Sequence, residues 1–84
     1  MKYRSRTDIV SQILEAANGG ATKTRIMYKA YLSYAQLKEY LSVLTENGLL
    51  DHEERELKYK TTEKGIPFMS TYDQIGQIVS QETK

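Results

Sequence analysis

The sequence predicts a mainly α domain with a small β-hairpin (α+β), in the order helix, helix, helix, hairpin, helix. Three observations carry this. Apolar residues recur at helical spacing before Asn47. Hydroxyl residues stand at the heads of the second and third apolar stripes. After Asn47-Gly48 the helical spacing stops, and Glu56 to Thr61 alternate polar and apolar residues.

The first helix is expected from about Thr7 to Asn18. Thr7 or Asp8 can cap it, and Ile9, Ile13, Ala16 and Ala17 share a face, with Val10 and Leu14 beside them. Asn18-Gly19-Gly20 ends it. Thr22 can cap a short second helix, Lys23 to Ala30, whose apolar edge is Ile26, Met27 and Ala30. Ser33 with Gln36 three residues later is a capping-box signature for a third helix, Tyr34 to Asn47, striped by Leu37, Leu41 and Leu44. Leu49 to Glu53 and Glu56 to Thr61 then read as a hairpin with Glu54-Arg55 at its turn. Thr62 can cap a fourth helix running to about Gln81. Three helices followed by a hairpin is a winged helix-turn-helix arrangement, with Ala30 to Ser33 as its tight turn. Residues 1–61 are expected to form this unit. Residues 62–84 are expected to supply a helix that packs on it and pairs two chains, all within one compact domain.

Composition narrows the function. The chain has 84 residues, enough for one domain, and 39% are hydrophobic, with Tyr prominent among them. So thin an apolar content, without cysteines for disulfides, favours self-association. One His, no Cys and no glycine-rich phosphate loop argue against an enzyme, a metal site or any cofactor. The basic N-terminus is not followed by an uninterrupted apolar run, and no stretch is long enough to span a membrane, so a cytoplasmic, nucleoid-associated protein is expected. Net charge is only +1, but residues 1–29 carry six basic and two acidic residues, whereas residues 30–63 carry four and seven. Such segregation lets one face meet a polyanion while the total stays near neutral.

The sequence resembles the archaeal small winged-helix DNA-binding proteins of the ten-kilodalton kind, and the transcriptional regulators that share their domain. The segments that carry the likeness are Arg4-Ser5-Arg6, Ile9 to Leu14, Gly20 to Ala30, Leu32 to Leu41, Asn47 to Leu50 and Tyr59 to Gly65. The resemblance covers roughly residues 4–80, nearly the whole chain. The resemblance implies binding of double-stranded DNA and a homodimer formed through the last helix.

The residues name their own candidates. The third helix would enter the major groove, with Ser33, Tyr34 and Ala35 at the end that usually meets base edges and Lys38 able to reach guanine or phosphate. Glu39 either accepts from cytosine or repels the backbone. Lys23, Thr24 and Arg25 open the second helix, where free N–H groups favour a phosphate. Arg4 and Arg6 belong to an arm that can reach the backbone or minor groove. Arg55, at the expected hairpin tip, and Lys58 after it complete the set, against nearby acids. Tyr28, Tyr31, Tyr34 and Tyr40 could stack on unpaired bases, but are expected to cover the edge of the core. His52, flanked by acids, reads as a surface residue. Phe68, Tyr72, Ile75 and Val79 recur at four, three and four residues, the seam spacing of paired helices. The alternative function is a protein-interaction module without DNA binding, which the acidic hairpin favours.

Overall fold

The computed structural model describes residues 4–69. Helix α1 spans Arg6–Ala16, β1 Ala21–Thr22, α2 Lys23–Lys29, α3 Tyr34–Glu46, β2 Leu50–Glu53 and β3 Lys58–Thr61. A 3₁₀ turn follows at Ile66–Phe68. The strands form an antiparallel sheet in the order β1-β3-β2. Three helices with this hairpin make a winged helix, a mixed α+β fold.

Local chemistry sets the helix starts. Ser33 and Gln36 form the expected capping box, each side chain bonded to the other's backbone N–H. Thr22 accepts from Arg25 N–H at the head of α2. α1 starts earlier than expected. Its cap is Ser5, and Asp8 is the third helical residue, bonding back to the Ser5 N–H at 3.1 Å. Asp8 is therefore the reciprocal partner of a capping box, and neither it nor Thr7 is the cap. Gly48, at φ 77, closes α3 in a backbone conformation that suits glycine.

The core lies where the helical stripes meet the sheet. Ile13, Leu14, Ile26, Leu37 and Leu50 are its largest fully buried side chains. Thr61 fastens the hairpin to α1: its hydroxyl donates to the Leu14 carbonyl at 2.6 Å, and its N–H to that of Ala17 at 3.1 Å. β1 pairs Ala21 with Tyr59 and Thr22 with Lys58. Two residues are too few to show period-two alternation, so this strand left no pattern in the sequence.

The chain after the hairpin departs from expectation. No helix starts at Thr62. Its hydroxyl donates to the Gly48 carbonyl at 2.6 Å and accepts from Gly65 N–H at 3.3 Å. The bonds that follow, Phe68 N–H to Gly65 and Met69 N–H to Ile66, are of the i+3 kind. Pro67 has no N–H to continue a ladder, and Met69 turns extended at ψ 142. Tyr72, Ile75 and Val79 lie outside the described residues. Phe68 is on the 3₁₀ turn, 48% exposed. Among the described residues, no helix is long and apolar enough to cross a membrane.

Candidate nucleic-acid interface

The head of α3 gathers charge from two elements. Lys23 opens α2, and Lys38 lies one turn along α3. Their ammonium groups sit 5.9 and 5.6 Å from the centroid of the Tyr34 ring, within cation–π range. Lys23 and Lys38 also line a groove of about 360 Å³ between α3 and the sheet, with Ser42, Thr45, Glu46 and His52. His52 is stacked on Tyr59 at 4.4 Å and 7°. On a helical wheel of about 100° per residue, the buried Leu37, Leu41 and Leu44 are opposed by Ala35, Glu39, Ser42 and Glu46. The outward face of α3 is thus neutral at its head and acidic farther along.

The other candidates divide. Thr24 and Arg25 are exposed on α2 beside Lys23. Ser33 is committed to its cap: its hydroxyl accepts from Gln36 N–H and donates to Gln36 Oε1, both at 3.2 Å. Arg6 lines a separate groove between α1 and α3, with Glu39 and Val43 among its walls. Arg4 is held inward. Its guanidinium donates to Gln12 Oε1 and to the Ala30 and Tyr31 carbonyls, the last at 2.8 Å. It thereby satisfies carbonyls that the end of α2 leaves open.

In the wing, cross-strand register places Asp51 opposite Lys60 and Glu53 opposite Lys58. Opposed charges at such positions interact favourably and offset each other's field. Arg55 is exposed in the turn between Glu54 and Glu56. Leu57 ends that turn at φ 55, 71% exposed.

The tyrosines overturn one expectation. Tyr40 is partly buried against the core, but Tyr28, Tyr31 and Tyr34 are exposed. The short α2 buries its Ile26–Ala30 edge, and Tyr28 is on the opposite side of the wheel. Tyr31 protrudes from the turn itself. A signal for this face was present in the sequence and missed. Between Glu15 and Glu39 there is no acidic residue, while Lys23, Arg25, Lys29 and Lys38 all fall there.

A three-helix unit with a tight α2–α3 turn and a two-stranded wing defines the class of protein. The winged helix-turn-helix family model matches residues 3–80, and the chain belongs to that family. An uncharacterized protein of Methanocaldococcus jannaschii is 29% identical over 80 residues, covering 94% of this chain and 80% of the relative. The crystal structure of Sso10a-2, a DNA-binding protein from Sulfolobus solfataricus, matches with a TM-score of 0.75 at 24% identity. That match covers 95% of this chain and 86% of the other. At that identity the likeness is one of fold.

Proposed function

We propose that this protein binds double-stranded DNA, with the head of α3 at the major groove and the acid-free segment against the backbone. The observation that carries the reading is the convergence of Lys23 and Lys38, from different elements, on Tyr34. Tyr34 and Ala35 are the residues that reach base edges, Lys38 reaches guanine or phosphate beside them, and Lys23, Thr24 and Arg25 flank them on the phosphate side. Arg55 and Lys58 have minor roles, because carboxylates neighbour both. Sso10a-2, which shares the fold, is a DNA-binding protein, and that supports the same ligand.

Residues 1–61 would carry the DNA contacts and residues 62–84 the pairing of two chains, through Phe68, Tyr72, Ile75 and Val79. The thin apolar content and the half-exposed Phe68 support a homodimer. Such a dimer would act in the nucleoid as a transcriptional regulator or a chromatin-associated protein. Gel shift with random-sequence duplex at low salt tests the ligand. A retarded complex is expected, and free duplex throughout would instead favour a protein-interaction module, the reading that the neutralised wing supports.

A further inference from the structure

Tyrosine usually buries its ring and keeps only its hydroxyl wet. Three tyrosines of the acid-free segment do otherwise: Tyr28 is 70% exposed, Tyr31 81% and Tyr34 55%. Tyr31 is the clearest case. Its backbone is held at φ 55, a conformation that glycine adopts freely and tyrosine does not. Folding alone would favour glycine there, yet the chain displays a large ring. The Lys23 and Lys38 ammonium groups attend Tyr34. Among the described residues, no ring or cation contact covers Tyr28 or Tyr31.

These rings are interleaved with cations in the sequence, as Lys23, Arg25, Tyr28, Lys29, Tyr31, Tyr34 and Lys38, with no acid among them. A single strand needs both partners: cations for its phosphates and ring faces for its unstacked bases. A duplex uses only the first, because its bases already stack on one another.

We propose that the face formed by α2 and the following turn also binds single-stranded DNA, with Tyr28 and Tyr31 stacking on unpaired bases. Lys23, Arg25, Lys29 and Lys38 hold the strand's phosphates. This face shares its cations, but not its rings, with the duplex reading, so the two fail separately.

The chain has no Trp, so tyrosine emission reports stacking directly. The full chain is titrated with a dT oligomer of about 16 nucleotides, the upper site size of such grooves, and with a duplex of equal length. Saturable quenching by dT is expected. The double variant Tyr28→Ala/Tyr31→Gly replaces one exposed ring and puts glycine where the backbone suits it, so its thermal melt stays cooperative. Stacking contributes roughly 5- to 150-fold per ring, so dT affinity should fall at least about 20-fold while duplex affinity is retained. No quenching of the wild-type protein by dT overturns the proposal. So does a variant that keeps its dT affinity, or one that loses duplex affinity in equal proportion. Binding of dT without binding of duplex upholds the proposal and removes the duplex reading.

Discussion

Replacing Arg4 with alanine removes one guanidinium from three acceptors: Gln12 Oε1 and the Ala30 and Tyr31 carbonyls. The first two bonds are partly buried and the third is exposed. A hydrogen bond involving a charged group contributes about 1.5–3 kcal/mol. Taking the lower end for the two partly buried bonds, and little for the exposed one, gives about 3 kcal/mol before the side chain's lost rotamer freedom is subtracted. A net loss of about 2 kcal/mol is expected, which in a domain of this size lowers Tm by roughly 8–16 °C. Thermal and urea unfolding of wild type, Arg4→Ala and Arg4→Lys measure it. Lysine should recover only part, because a point charge cannot fork between carbonyls as guanidinium does. Salt dependence of DNA binding, measured below the variant's transition, should be unchanged. If Arg4 were instead a phosphate-binding arm, the slope of log K against log[salt] would fall by about 0.9 per protomer. Stability would then change by less than about 0.5 kcal/mol, as for ordinary surface substitutions. That pair of results would refute the clamp.

Other substitutions test the wing and the core. Leu57→Gly should stabilise the fold by about 0.5–1 kcal/mol. It relieves a left-handed residue costing about 1–2 kcal/mol and adds about 0.5–1 kcal/mol of glycine entropy. A lower urea midpoint would contradict the reading of that turn. A Cβ on Gly65 would lie 2.6 Å from the Leu49 carbonyl oxygen and 3.0 Å from Thr61 Cγ2, so Gly65→Ala should cost about 1–3 kcal/mol in urea unfolding. Lys58→Ala/Lys60→Ala should leave the salt slope of duplex binding unchanged, since Glu53 and Asp51 stand opposite. A drop near 1.8 units would place both lysines on phosphates.

Much of the fold was legible because it is encoded locally. Thr22 and the Ser33–Gln36 pair mark helix starts within a few residues, and the leucines of α3 give its stripe. What failed depended on distant or ambiguous chemistry. Asp8 suits either a cap or the third helical position, and only the Ser5 geometry decides between them. β1 exists through its pairing with a strand nearly forty residues later in the chain. Thr62 looks like a cap, but its hydroxyl is also drawn to the Gly48 carbonyl across the fold. For the candidate site, residue type pointed to Lys23, Tyr34 and Lys38, and the structure gathers them at one point. It could not foretell that the Arg4 side chain turns inward. Nor does strand alternation alone reveal that the wing's lysines face carboxylates, because that follows from cross-strand register.

Salt dependence of duplex affinity tests the central claim most directly. The acid-free segment carries Lys23, Arg25, Lys29 and Lys38, and four neutralised phosphates give a slope of log K against log[salt] near −3.6 per protomer, or about −7 for a dimer. Lys23→Ala/Arg25→Ala should flatten it by about 1.8 per protomer and weaken all sequences alike. A slope near zero, or a variant indistinguishable from wild type, would mean that this face does not meet the DNA backbone.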